Sequence, residues 1–295
     1  MPSQQHEALV QQILEGFVTD APDLADQRAG YEATLAATPI ADDISIESFQ
    51  IGAMNADWVS APTSQSDRIF LYFHGGGYVI GSNVGYREFA GRLARATNAR
   101  VCVINYRLAP EEPFPAAVED AVSAYQYLLS NGFTPGQISL AGDSAGGGLT
   151  LAALVSLRDQ GIALPASGVC FSPWIDLEGN GASAQPGGAD DPMLAKEGLV
   201  GMATLYAGSD LTNPLAAPLH AELNGLPPIQ IMVGTREVLL DDARRARAKI
   251  EQSGAKVDYY EGEGLIHVWP VLAPDAPESA DALQRVARFT ANHWS

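Results

Sequence analysis

Gln137-Ile138-Ser139-Leu140-Ala141-Gly142-Asp143-Ser144-Ala145-Gly146 decides the fold. Residues 137–141 are a short run that predicts a buried strand, and Gly146 to Asp159 predicts a helix. A strand that turns directly into a helix brings two backbones close together, and the small residues flanking Ser144 permit that approach. The serine is then expected at the tip of a strained bend, its hydroxyl exposed and the helix N-terminus beneath it. In a chain with 29 glycines a Gly/Ser turn would read the same way in isolation. The surrounding sequence separates the two.

Outward from this elbow, the chain alternates. Arg68 to Phe73, Arg100 to Tyr106, Gln137 to Ala141 and Ser167 to Ser172 predict strands. Val84 to Thr97, Ala116 to Ser130 and Gly146 to Asp159 predict the helices between and after them. The alternation resumes with strands Ile229 to Val233 and Lys256 to Glu261, and helices Leu240 to Ser253 and Ala280 to His293. Repeated strand–helix units imply an α/β fold, a mostly parallel sheet flanked by helices on both faces. Upstream, residues 7–19 place Leu9, Val10, Ile13, Leu14, Phe17 and Val18 on one helical face, ended by Asp20-Ala21-Pro22-Asp23. A second helix is expected at Leu24 to Ala36, and strands at Ile44 to Ala53 and Asp57 to Ser60. Between the two alternating blocks, Glu178 to Asp191 is rich in Gly, Ala and Pro. A helix at Lys196 to Ala207 and a Pro-punctuated loop at Asn213 to Pro228 follow it.

Composition excludes several classes. A net charge of -18 disfavours nucleic acid and anionic membranes as partners, and is most simply a solvated acidic surface. Cys102 and Cys170 each sit in an apolar run and read as buried free thiols. The sequence shows no metal-ligand cluster, no signal-peptide pattern at Met1-Pro2-Ser3-Gln4-Gln5-His6-Glu7 and no membrane span, which together suggest a cytoplasmic protein.

His74-Gly75-Gly76-Gly77 follows directly after the strand ending at Phe73. Backbone N–H groups on such a loop approach an oxyanion with no Cβ in the way, which makes an oxyanion hole the expected role. A serine nucleophile needs a base, and the chain has five histidines. His6 lies in the N-terminal tail, His74 belongs to the glycine loop, His220 falls in the Pro-rich loop and His293 ends the last helix. His267, in the loop beyond the strand at residues 256–261, remains. The acid should lie between Ser144 and His267 at a strand end. Glu237, after the strand at 229–233, fits best, and Asp176 is its rival at another strand end. Asp241 and Asp242 read as residues favoured by a helix N-terminus.

His74-Gly75-Gly76-Gly77, Tyr106-Arg107-Leu108-Ala109-Pro110-Glu111, Gly142-Asp143-Ser144-Ala145-Gly146-Gly147 and His267-Val268-Trp269-Pro270 occur in an order and spacing that resemble the bacterial hormone-sensitive-lipase-like esterases of the α/β-hydrolase fold. The resemblance spans roughly residues 60–290. It implies Ser144, Glu237 and His267 as a triad and the N–H groups of Gly76, Gly77 and Ala145 as the oxyanion hole. It also implies a glycine loop buttressed by residues 106–111. Where many members carry Asp-Pro-Leu, this chain has Glu237-Val238-Leu239. The implied organisation is an N-terminal part of a cap (1–45), a catalytic domain in two parts (46–177 and 229–295) and a cap insertion (178–228).

The expected activity is hydrolysis of short- to medium-chain carboxylic esters through an acyl-enzyme, with no metal or organic cofactor. The same machinery would serve a lactone hydrolase, an aryl formamidase or a natural-product deacetylase, and related receptors use the pocket for binding alone. The expected partner is a small-molecule ester. A homodimer through the last strand and helix follows from the family resemblance.

Overall fold

Strand β3 (Gln65–Phe73) sends alternate side chains into two separate cores. Ile69, Leu71 and Phe73 enter one; Phe70 and Tyr72 enter the other. That is the period-two pattern of a strand covered on both faces, and it explains why this stretch reads as a continuous apolar run. The computed structural model describes residues 1–16 and 23–295.

The other strands are β1 (Ser45–Ile51), β2 (Met54–Ser60), β4 (Ala99–Ile104), β5 (Ile138–Asp143), β6 (Ser167–Phe171), β7 (Ile229–Arg236) and β8 (Val257–Ile266). They form one sheet in the order β1-β2-β4-β3-β5-β6-β7-β8. The hairpin β1–β2 joins β4 antiparallel, and every pair from β4 to β8 is parallel. The helices are α1 (Gln4–Glu15), α2 (Leu24–Ala36), α3 (Arg87–Thr97), α4 (Ala116–Ser130), α5 (Ala145–Asp159), α6 (Lys196–Ala207), α7 (Leu240–Gln252), α8 (Trp269–Leu272) and α9 (Pro277–Ala291). One core takes its side chains from α4, α5, α6 and α7; the other takes them from α1, α2, α3, α8 and α9. The expected mostly parallel sheet flanked by helices is therefore the fold observed. Each large apolar side chain fully buried in it contributes about 1.5–3 kcal/mol.

Three departures from the sequence reading matter for the site. The last strand does not stop at Glu261: β8 continues to Ile266, because β7 also runs on to Arg236 and pairs with it there. Gly262 and Gly264 read as loop residues, yet the ladder passes through that stretch with an irregularity. Helix α1 begins three residues earlier than residue 7 and buries His6 and Val10, while Leu14 is exposed. The buried stripe therefore runs along a different edge from the one the apolar pattern suggested. Phe17, Val18, Asp20, Ala21 and Pro22 lie outside the described residues, and Asp23 caps α2 by accepting from Asp26 N. Both cysteines are buried and unpaired, with burial pushing their thiol pKa values up.

Candidate active site

The elbow between β5 and α5 places Ser144 at φ 53°, ψ -119°, a conformation L-residues rarely adopt. It persists because the surroundings hold it from several sides. Ser144 N donates to Phe171 O (2.9 Å), and Ser144 O accepts from Gly148 N (3.0 Å) and Trp174 N (2.9 Å). Gly146 is required here, since a Cβ at that position would lie 2.0 Å from Phe73 O.

Glu237, just past β7, and His267, just past β8, come together across the neighbouring strand ends. His267 Nδ1 donates to Glu237 Oε2 at 2.8 Å, and both side chains are buried. An ionised carboxylate only accepts, so the ring proton sits on Nδ1 and Nε2 is left as the acceptor. Glu237 Oε1 accepts from Gly234 N (2.5 Å) and from Ser172 Oγ (2.8 Å), which anchors the carboxylate while Oε2 meets the imidazole. Burial lowers the His267 pKa, but the hydrogen bond and charge of Glu237 outweigh it, and the net shift is upward.

The glycine loop following β3 closes over the elbow. Gly76 and Gly77 have φ of 112° and 62°, values open to glycine, and among the described residues their N–H groups and that of Ala145 have no protein acceptor. Tyr106 Oη donates to His74 O (2.7 Å) and its ring stacks on His74 at 4.2 Å, while Ala109 N donates to Tyr78 O (2.9 Å). Residues 106–109 thus brace the loop from behind. Asp143 braces it from below: Oδ1 accepts from Gly75 N (3.0 Å) and Tyr72 Oη (2.8 Å), and Oδ2 accepts from Tyr86 Oη (2.7 Å). Burial pushes the Asp143 carboxyl up to about 6, against the pull of the two tyrosine hydroxyls.

Ser144, His267, Gly76 and Gly77 line one cavity of 180 Å³, walled by Met193, Leu194, Leu199 and Met202. Met202 of α6 lies against the glycine loop, its sulfur where a Cβ on Gly77 would fall. A larger cavity of 370 Å³ lies beside it, lined by Leu9 and Ile13 of α1, and shares Tyr31, Met193 and Leu272 with the first.

The sequence singled out Ser144, Glu237, His267, Gly76, Gly77 and Ala145, and the fold brings all six to one place. Asp176 is elsewhere. Its Oδ2 accepts from Arg245 Nη2 (2.8 Å) and Asn180 N (2.9 Å), its Oδ1 from Glu178 N (3.0 Å). Asp242 does more than sit at a helix start: Oδ2 accepts from Ile175 N (3.0 Å) and Asp176 N (2.9 Å), tying α7 to the chain after β6. Burial pushes its carboxyl up to about 7. Although the sequence shows no ligand cluster, the fold brings ligand atoms of Asp176, Glu178 and His220 within 4.8 Å of one another. The Asp176 carboxylate there is already engaged by Arg245 and backbone N–H groups.

Two further residues, Ser172 and His6, bear on the site. Ser172, at φ 47°, donates to Glu237 and accepts from Val268 N (3.2 Å). His6, placed in a tail by the sequence reading, is buried and accepts from Ile266 N (3.2 Å). Its position on the face shared with Val10, three residues after a Ser N-cap, was the available clue.

The comparisons with known proteins agree with this architecture. The α/β hydrolase fold family matches residues 70–271. An acetyl-hydrolase of Streptomyces hygroscopicus is 46% identical over 240 residues, covering 81% of this chain and 80% of its own. An esterase of Acinetobacter venetianus is 32% identical over 248 residues, covering 83% and 82%. The crystal structure of an esterase from the bacterial hormone-sensitive lipase family superposes with a TM-score of 0.96 at 43% identity, over 100% of both chains. Among the described residues no helix is long and apolar enough to cross a membrane. This chain belongs to the α/β-hydrolase family, among the bacterial hormone-sensitive-lipase-like esterases, and is a carboxylic ester hydrolase.

Proposed function

We propose that the protein hydrolyses short- to medium-chain esters through an acyl-enzyme on Ser144. Ser144 Oγ attacks the ester carbonyl carbon while its proton passes to His267 Nε2. The N–H groups of Gly76, Gly77 and Ala145 hold the oxyanion, each donor contributing about 2.7–4 kcal/mol of transition-state stabilisation. The C–O bond to the alcohol then breaks, and His267 returns the proton to the departing oxygen. Water then attacks the acyl carbon while its proton passes to His267; the bond from the acyl carbon to Ser144 Oγ breaks, the acid leaves, and His267 returns the proton to Oγ. Glu237 holds the imidazole in the Nδ1-protonated form and stabilises it when charged.

The observation that carries this reading is the 2.8 Å bond from His267 Nδ1 to Glu237, in a histidine that shares its cavity with Ser144. The N-terminal helices and residues 178–228 act as the cap. Supporting this, α6 contributes Leu199 and Met202 to the cavity wall, and α2 contributes Tyr31. The 180 Å³ cavity, with Met202 against the glycine loop, favours small acyl groups, and two of the relatives are named acetyl-hydrolases. A homodimer through β8 and α9 belongs to the same proposal, since β8 ends the sheet and leaves an edge for pairing.

Turnover of p-nitrophenyl acetate by purified Ser144→Ala and His267→Ala tests the mechanism. Each should fall on the order of 10⁴-fold or more, and a fluorophosphonate should label the wild type but not Ser144→Ala. Wild-type turnover by either variant overturns the assignment.

A further inference from the structure

His267 is held through its backbone on both sides. The amide after it, Val268 N, donates to Ser172 Oγ. The amide before it, Ile266 N, donates to His6 Nε2 at 3.2 Å, a bond that spans 260 positions of sequence. His6 and Ile266 are both fully buried. Without the imidazole, the buried Ile266 N–H at the end of β8 would lose this partner, and an unpaired buried donor is destabilising.

The N-terminal residues around His6 are themselves anchored. Ser3 caps α1 by accepting from His6 N (3.3 Å), and it grips Glu278 at the start of α9 through N (2.5 Å) and Oγ (2.7 Å). Pro2 packs on Gly264, where a Cβ would lie 2.8 Å from its ring. The first turn of α1 is thus seated against the strand end that delivers His267. It reaches that strand with one imidazole.

We infer that His6 is a positioning residue for His267, setting the imidazole through the Ile266 amide. This rests on His267 being the base. The bond has a chemical condition: Nε2 accepts only when His6 is neutral with its proton on Nδ1. A second proton would set N–H against N–H. The charged groups facing His6 are Glu7 on α1, Glu278 on α9 and Arg236 at the end of β7. Burial dominates these and lowers the His6 pKa, which favours the neutral ring.

The test uses the full-length chain with His6→Phe, which fills the space but offers no acceptor, and His6→Gln, whose Oε1 restores one. In His6→Phe, kcat on p-nitrophenyl acetate should fall about tenfold or more, the scale of effect expected for a misplaced catalytic group, with KM changed less than about twofold. His6→Gln should recover most of that loss. Glu278→Ala, which loosens the same seam but leaves the imidazole and the Ile266 amide in place, should lower Tm and cost less in kcat than His6→Phe does. Equal losses of kcat in His6→Phe and His6→Gln, or an unchanged kcat in His6→Phe, would overturn the inference. If His6→Phe does not fold, ¹⁵N NMR of the wild-type imidazole decides: an Nε2-protonated His6 refutes the proposed bond, and an Nδ1-protonated one supports it. Activity surviving in His267→Ala would instead sink the mechanism itself, whatever the His6 variants do.

Discussion

Tyr31 Oη lies 2.7 Å from Tyr86 Oη, joining α2 to the buried network beneath the nucleophile elbow. Tyr86 has one hydroxyl proton, and Asp143 Oδ2 takes it at 2.7 Å. Tyr31 is therefore the donor to Tyr86. The same Tyr86 oxygen also accepts from Gly75 N (3.0 Å). One hydroxyl thus connects the N-terminal helices, the glycine loop and the residue preceding Ser144.

Removing the outer member should cost less than removing the hub. Tyr31→Phe should destabilise the protein by about 0.5–1.5 kcal/mol, the usual net value of one hydrogen bond. Tyr86→Phe should cost more, about 1–3 kcal/mol, because it takes a donor from the buried Asp143 carboxyl and the acceptor from Tyr31, while Gly75 N keeps only Asp143 Oδ1. Urea denaturation with both variants measures the difference. Equal losses in the two variants would mean that Tyr86 is no hub, and midpoints equal to the wild type that the network does not bear on stability.

Glu237→Gln and Asp176→Asn should separate two kinds of loss. The first should lower kcat on the order of 10³–10⁴-fold, since an amide disfavours the required tautomer. The second should leave kcat within a few-fold and lower Tm, because Asp176 holds Arg245 and a turn rather than His267. Steady-state kinetics beside thermal melts gives both numbers. The reverse pattern would move the acid to Asp176.

The acid limb of kcat/KM should have its midpoint above the ordinary histidine value of 6.5. The sign follows from the pairing: Glu237 favours charged His267, so the neutral base appears only at higher pH. Activity should therefore be lost as pH falls through that raised value. NMR titration of His267 in Glu237→Gln should show a lower midpoint than in the wild type. A midpoint that does not move would place the cause of the shift elsewhere.

Met202→Ala should move the preferred acyl chain upward in length. Its sulfur fills the space above Gly77, and truncation opens the cavity toward α6. Ratios of kcat/KM for p-nitrophenyl esters from acetate to dodecanoate provide the check. A profile unchanged from the wild type would show that chain length is set by another wall.

Much of the site was legible because each of its groups rides a strand end. Ser144 follows β5, Glu237 follows β7, His267 follows β8, and the glycine loop follows β3. Apolar runs mark strands, so residues just beyond them could be placed before any contact was known. What stayed hidden has a common character. His6, Ser172, Tyr31 and Asp242 are single polar residues whose partners lie far along the chain, and no periodicity records such a pairing. Asp242 read as a helix-start residue because local electrostatics sufficed to explain it, although two amides after β6 use it. The continuation of β8 to Ile266 was concealed by Gly262 and Gly264, which signal a turn locally and are overruled by pairing with β7.

The backbone of Ser144 sits in a region that a free peptide would leave, and it stays only while β6, the residues after it and the first turn of α5 grip it. Such a joint yields before the sheet does, since local opening needs less free energy than global unfolding. On warming, the enzyme assay should therefore fade while the helical circular-dichroism signal is still intact. Catalytic competence is in this sense a finer thermometer of native packing than secondary structure, and reading one for the other would overstate how long the enzyme survives.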